Sequence, residues 1–275
     1  MLSNGNMVGY GRPGSCYVRR RDRAFHPSMT DIASHRGGAL LWPENSRIAF
    51  ENTAKLPVEQ VEFDVHPTCD GKIVVIHDGT LDRTTDGAGP VARRDWAELQ
   101  RVTLKGTDGQ RMLLLDEVLE IFRPTPIVLR VEIKSDPDRM PYPGHAEKVT
   151  AALKQAGMLG RSVVTSFQLG TVLDAVRAGR PMRHVWLVLP QVQADLGLDR
   201  VIATAKAAGV PMLGLRQNML TAEIVATVRN AGLGIGGWAC NDGAAIARLL
   251  ELEVDVFTTD RPDLAIAQRK ALRRD

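Results

Sequence analysis

Short apolar or β-branched runs alternate with amphipathic stretches along most of the chain. Runs at 31–35 (DIASH), 59–65 (EQVEFDV), 126–133 (PIVLRVEI), 162–166 (SVVTS), 183–189 (RHVWLVL), 211–215 (PMLGL), 233–238 (LGIGGW) and 254–258 (VDVFT) predict eight strands. Amphipathic stretches at 46–55, 144–156, 168–178, 198–208, 221–231 and 242–252 predict helices between them. Ser46, Thr221 and Asp242 stand where N-caps belong, because a short polar side chain can accept from the free amides of a first turn. Gly157, Gly179, Gly209 and Gly232 stand near the helix stops. From the fourth run on, strand starts recur every 21–28 residues. Repeated β-α units of this length imply a parallel sheet with helices outside it. Eight units predict an α/β fold closed as a (β/α)8 TIM barrel. No G-x-G-x-x-G follows the first run, which disfavours an open dinucleotide-binding sheet.

One stretch breaks the rhythm. Residues 66–113 hold two short strand-like pieces (72–77 and 81–84), a turn-rich Asp86-Gly87-Ala88-Gly89-Pro90 and a short helix from Asp95. The stretch is too long for a simple loop, so a small inserted subdomain is expected after strand 2. A helix at 114–122 (LLDEVLEIF) returns to the barrel. Residues 29–275 read as this one barrel, preceded by an extension at 1–28.

Composition narrows the class. At 44% hydrophobic and 24% charged residues, the 275-residue chain has the balance of a soluble globular protein. A domain of this size buries roughly three quarters of its unfolded surface and needs no staple. Three cysteines (Cys16, Cys69, Cys240), odd in number and widely spaced, argue against a disulfide framework or structural zinc and favour a reducing, cytoplasmic setting. The net charge of +3 is unevenly spread. Residues 1–28 carry five arginines against Asp22, +4, so the remainder sums to −1. A nucleic-acid surface is not indicated. The extension lacks the apolar run of a signal peptide and is expected to be disordered, with Met29 as the working start, although its arginines leave a transit peptide open. No apolar run reaches 18 residues, so no stable membrane insertion is expected. Self-association into a homo-oligomer is left open.

The chemistry sits at strand ends, where barrels of this type keep their active sites. Strand 1 ends in His35-Arg36-Gly37, strand 2 in Glu62-Phe63-Asp64 and strand 3 in Glu132-Ile133-Lys134. Residues i and i+2 of a strand share a face, so Glu62 pairs with Asp64 and Glu132 with Lys134. The insertion offers His77-Asp78, strand 7 ends in Trp238 and strand 8 in Thr258-Thr259-Asp260. Three carboxylates aimed into one mouth repel unless some are protonated or a cation compensates them. Oxygen ligands favour Mg²⁺ or Ca²⁺ over zinc. Arg36 and Lys134 beside such an ion suit a phosphate oxyanion, and two histidines can serve as acid and base. The sum is metal-assisted cleavage of a phosphate ester. Taken singly, each piece has a plainer reading: a solvated strand edge, a hydrogen-bonded histidine, an internal Glu132–Lys134 ion pair, barrel packing by Trp238. Their joint position at separate strand ends lifts the set above its parts.

In order along the chain, His35-Arg36-Gly37, Pro43-Glu44-Asn45, Glu62-x-Asp64-Val65, His77-Asp78, Leu81-x-Arg83-Thr84-Thr85, Val131-Glu132-Ile133-Lys134, Ser166-Phe167, Trp238 with Asn241, and Phe257-Thr258-Thr259-Asp260-Arg261-Pro262 resemble the glycerophosphodiester phosphodiesterase family. The resemblance spans about 31–268 and includes the insertion. It implies a (β/α)8 barrel and a divalent metal, Mg²⁺ or Ca²⁺, held by Glu62, Asp64 and Glu132. It implies His35 and His77 as the acid–base pair, Arg36 and Lys134 as the phosphate clamp, and Trp238 as a wall of the alcohol pocket. The partner is then a small-molecule phosphodiester, cut to glycerol phosphate and an alcohol. Ser46 stands where members often have threonine, and Gly38-Ala39-Leu40-Leu41-Trp42 is more apolar than usual. That loop is expected at the alcohol moiety, which leaves the leaving group open. Two rivals remain: a barrel acting on a lysophospholipid or sugar-phosphate diester, and a non-catalytic phosphodiester-binding barrel. The residues choose neither between water and a vicinal hydroxyl as nucleophile nor between the two histidines as acid and base.

Overall fold

The computed structural model of the protein describes residues 30–272. The extension expected at 1–28 lies outside the described residues. In chain order the strands are β1 (Asp31–His35), β2 (Gln60–Pro67), β3 (Ile73–Val75), β4 (Leu113–Leu114), β5 (Val128–Ile133), β6 (Ser162–Ser166), β7 (Arg183–Leu187), β8 (Met212–Arg216), β9 (Gly234–Trp238) and β10 (Val256–Thr259). Eight of them pair in parallel in the order β1-β10-β9-β8-β7-β6-β5-β2, and β2 returns to β1, with His35 opposite Glu62. The sheet is therefore a closed barrel with no free edge among these eight. The helices are α1 (Arg47–Thr53), α2 (Trp96–Leu99), α3 (Leu115–Phe122), α4 (His145–Gln155), α5 (Leu169–Ala178), α6 (Pro190–Leu196), α7 (Leu198–Ala207), α8 (Ala222–Asn230), α9 (Gly243–Glu251) and α10 (Pro262–Leu272).

Local chemistry sets the boundaries. The side chains of Ser46, Thr221 and Asp242 each accept from the amide three residues on and so open α1, α8 and α9. Gly157, Gly209 and Gly232 follow helix ends with positive φ, the conformation glycine adopts most readily. Gly179 differs, closing α5 with an extended backbone. Two helices, α6 and α10, were not predicted. Each begins with a proline at a first-turn position, where the missing amide costs nothing.

The strand period of two divides labour between faces. On β2, Phe63 meets Phe50 of α1 edge-on at 5.8 Å, and Phe50 meets Phe122 of α3 at 6.0 Å. The alternate residues Gln60, Glu62 and Asp64 face the barrel axis. A second cluster (Ala33, Val163, Val185, Leu187, Met212, Val256) closes the barrel interior below the mouth.

Between β2 and α3 the chain forms a unit with its own small core of Val74, Ile76, Leu81, Val91, Leu99, Leu104 and Met112. β3 pairs antiparallel with β2, and β4 with β3. The strand expected at 81–84 is instead a turn. Leu81 buries into the small core, but Asp82-Arg83-Thr84 present no second apolar residue, and Asp82 accepts from the Gly89 amide across the turn. The second strand-like piece is supplied by Leu113–Leu114, whose end is capped by Glu117 accepting from the Leu114 amide.

Candidate active site

The turn after β1 brings the first residues to the mouth. Arg36 has φ 52° and Gly37 φ 79°. A Cβ on Gly37 would lie 2.8 Å from the Ala49 Cβ on α1, so only glycine lets the turn close this tightly. Arg36 pays the left-handed conformation that a non-glycine residue usually avoids, and strain of this kind concentrates at working sites. Its amide donates to Glu62 Oε2 at 3.1 Å, and its guanidinium reaches Glu44 Oε1 at 3.0 Å and Asp64 Oδ2 at 3.5 Å.

β2 and β5 supply the carboxylates. Glu62, Asp64 and Glu132 are buried, and each offers an oxygen within 4.8 Å of the others. Glu62 Oε1 and Asp64 Oδ1 are buried with no hydrogen-bond partner. Buried acceptors are costly when unpaired, and three hard oxygens on adjoining strands fit a divalent cation. Burial, and then Asp64, push the Glu62 carboxyl well above the ordinary range. Burial works the same way on Asp64, yet Lys134, His77, Arg36 and His35 together hold it far below. Lys134 Nζ sits 2.7 Å from Glu132 Oε1 and 3.4 Å from Asp64 Oδ1. Burial opposes its charge, but those two carboxylates hold it protonated. Asn45 donates to Asp64 Oδ2 at 3.0 Å and fixes the middle carboxylate from the other side.

Both histidines are held from behind. His35 Nδ1 lies 2.5 Å from Asp260 Oδ1. His77 Nδ1 lies 2.6 Å from Asp78 Oδ1. A carboxylate only accepts, so Nδ1 carries the proton in both rings and each Nε2 is left for chemistry. His35 Nε2 faces Glu62 Oε2 at 3.7 Å. Burial disfavours the His35 imidazolium, but Glu62 and the bond to Asp260 outweigh it and raise its pKa. Asp260 is itself fixed by Asn241, which donates to Oδ2 and accepts from the Asp260 amide at 2.8 Å. Arg83 braces the other pair. It reaches Asp78 at 2.7 Å and Glu44 at 2.7 Å, so one guanidinium joins the insertion to the β1 loop.

The structure brings His35, Arg36, Glu62, His77, Glu132 and Trp238 onto one cavity of about 170 Å³. Asp64 lies fully buried behind it, and Lys134 reaches it through its two carboxylate partners. Trp238 packs edge-to-face on Phe167 with ring centroids 5.4 Å apart. The loop 38–42 joins the mouth where the Leu40 amide donates to the Asp260 carbonyl at 3.2 Å. Sequence reasoning gave no role to Asp260, Asp78, Glu44, Asn45, Arg83 or Arg130. For Asp78 the signal was adjacency to His77; for Glu44, Asn45 and Arg83 it was the polar motif around each. Asp260 and Arg130 carried no local signal for their partners.

Among the described residues, no helix is long and apolar enough to cross a membrane. A family model described as the glycerophosphoryl diester phosphodiesterase family matches residues 35–264. A glycerophosphodiester phosphodiesterase of Bacillus altitudinis is 30% identical over 255 residues, covering 89% of this chain and 100% of that one. A solved structure from Agrobacterium tumefaciens that carries the same family description is 39% identical with a TM-score of 0.88, covering 90% of this chain and all of that one. An Oleispira antarctica phosphodiesterase, solved with the product sn-glycerol-3-phosphate, is 21% identical with a TM-score of 0.73 and shares the fold, covering 88% of this chain and 97% of that one.

Proposed function

Because the chain belongs to the glycerophosphoryl diester phosphodiesterase family, we propose that the barrel mouth hydrolyses a glycerophosphodiester to glycerol phosphate and an alcohol, with His35 and His77 as the proton-transfer pair. The observation that carries the reading is the symmetry of the two imidazoles. Each is bound through Nδ1 to a carboxylate, and both line the cavity that Glu62 and Glu132 enter. Such a pair can take a proton from a nucleophile on one side and return one to the leaving oxygen on the other. The carboxylates Asp260 and Asp78 hold the tautomer and stabilise each imidazolium as it forms.

Glu62, Asp64 and Glu132 would hold the divalent ion, Mg²⁺ or Ca²⁺, which neutralises charge on the phosphoryl oxygens. Arg36 orients the phosphate from the β1 turn. Lys134 adds positive charge beside Glu132 and keeps Asp64 ionised. Trp238 and Phe167 form the apolar side of the alcohol pocket. The partner is a small-molecule phosphodiester rather than a nucleic acid, and the cysteine usage fits a cytoplasmic enzyme.

A panel of glycerophosphodiesters, a lysophospholipid and a sugar-linked diester, each with Mg²⁺, Ca²⁺ or excess chelator, tests this. The expected result is metal-restored turnover that is greatest on a glycerophosphodiester. Full activity in chelator would overturn the metal assignment, and turnover confined to the lysophospholipid would overturn the substrate assignment.

A further inference from the structure

The two histidines at the mouth differ in how their backbone is held. His35 is the last residue of β1, a strand paired on both sides, with β10 and with β2. His77 lies beyond the end of the short strand β3. The chain is bonded to β2 as far as Ile76, whose amide donates to the Asp64 carbonyl at 3.1 Å. Among the described residues no backbone amide reaches the His77 carbonyl. It accepts instead from Nε2 of His66, a buried ring near the end of β2, at 3.1 Å. A carbonyl only accepts, so Nε2 carries the proton of the neutral ring, and Nδ1 accepts from the Tyr142 hydroxyl at 3.1 Å. Tyr142 lies in the loop between β5 and α4, and its ring meets those of His66 and His145 edge-on at 5.7 Å and 5.9 Å. The same loop backs the turn after His77, where a Cβ on Gly79 would lie 3.2 Å from Pro137.

We propose that Tyr142 and His66 are positioning residues for His77, in which the tyrosine hydroxyl fixes the tautomer of His66 and His66 Nε2–H fixes the peptide from which the His77 ring hangs. The inference rests on the reading of His77 as one of the proton-transfer pair. Asp78 and His66 then divide the task. Asp78 sets the orientation of the imidazole through Nδ1, and His66 sets where the residue itself stands. Both are needed, because a displacement of about 1 Å from the productive geometry can cost about 10²-fold in rate. The strand ladder does for His35 what the two side chains do for His77. With the Tyr142 hydroxyl gone, Nδ1 of His66 loses its donor, and the ring is free to carry its proton there and leave the His77 carbonyl unbonded.

Tyr142→Phe tests this, because it keeps both ring contacts and deletes only the hydroxyl. Steady-state rates of the metal-loaded enzyme on a glycerophosphodiester should show kcat lowered about three- to tenfold, the value of one neutral hydrogen bond, and KM unchanged. His66→Met, which has no donor, should lower kcat about tenfold or more. His66→Gln, whose amide nitrogen can donate to the same carbonyl, should recover most of that loss. Combined with His77→Ala, Tyr142→Phe should have no further effect on the residual rate, because its action runs through His77. An unchanged kcat for Tyr142→Phe overturns the proposal and leaves the phosphodiesterase reading standing. A wild type that turns over no glycerophosphodiester sinks both. A Tyr142→Phe loss that persists undiminished in the His77→Ala background shows a structural role, and a shifted midpoint of metal activation shows an effect on the carboxylates. Either outcome overturns the positioning of His77.

Discussion

The two walls of the barrel mouth are built on opposite principles. One wall, from β10 through β1 and β2 to β5, carries Asp260, His35, Glu62, Asp64, Glu132 and Lys134, which brace one another while leaving the oxygens Glu62 Oε1 and Asp64 Oδ1 without a hydrogen bond. The facing wall, from β6 to β9, offers Phe167, Leu187, Gly214 and Trp238. Charges on the first wall are preorganised, because reorienting dipoles during a reaction would cost the stabilisation they provide. The second wall supplies shape and excludes water. The difference teaches that substitutions on the two walls should fail differently, one in turnover and the other in affinity.

The largest contrast is expected from the histidines. His35→Ala and His77→Ala should each lower turnover about 10²–10⁴-fold, with KM little changed. The double substitution should lose less than the product of the singles, since the two act as a unit. A diester with a nitrophenol leaving group needs little protonation. Steady-state rates on it should recover for whichever variant lacks the acid and stay low for the other. Near-normal rates for both single variants on a natural diester would break the assignment.

A smaller effect is expected across the cavity. Trp238→Ala removes the ring that meets Phe167 and should raise KM for the natural diester about tenfold, with kcat falling less. If kcat falls and KM does not, Trp238 belongs to the charged wall's work, and the comparison fails.

The smallest effect sharpens what lies behind the charged wall. His66, near the end of β2, and His145, which opens α4, are buried, with pKa values pulled down by burial to about 4. His66 bonds the Tyr142 hydroxyl and the His77 carbonyl, each at 3.1 Å, an arrangement made for a neutral ring. Unfolded histidine binds its proton near pH 6.5, so between about 6.5 and 4 the unfolded state takes up more protons than the folded one. Stability is therefore full above that window and falls as the pH drops through it, by about 1 kcal/mol per histidine at pH 5.5. Glu62 and His35, whose pKa values are raised, push the other way, so the measurement is a difference: relative to His145→Gln, the wild type should lose stability as chemical denaturation is carried from pH 7.5 to 5. A difference that stays flat across this range would mean that the folded ring of His145 takes up its proton as readily as the unfolded one.

How much of this was legible in the chain depends on range. The strand at Asp31–His35, the cap at Ser46 and the stop at Gly157 follow from neighbours a few residues away, and were read at nearly their final bounds. The turn at 81–84 was misread as a strand because Leu81 and Thr84-Thr85 suit strands locally, while the small insertion core takes only Leu81 and the buried Thr85 hydroxyl, which donates to the Leu81 carbonyl. The convergence of Glu62, Asp64 and Glu132 followed from strand parity once a closed barrel was assumed. The state of charge of Glu62 and Asp64 did not, because it depends on burial and on Arg36, from the turn after β1, and Lys134, from the end of β5, coming beside β2.

The sequence alone determined the eight β-α units, the boundaries set by caps and glycines, and the shared face of Glu62 with Asp64 and of Glu132 with Lys134, because period and capping are local properties of a polypeptide. Only the tertiary structure decided which groups became partners. His35 meets Asp260 across 225 residues of chain, and Arg269 reaches Glu59 across 210, because the last strand and helix close the circle beside the first. Closure of the barrel also brought Arg130, Thr165 and Thr258 onto the same cavity as the carboxylates. No periodicity marks such residues, since their meaning comes from the strands that face them across the axis.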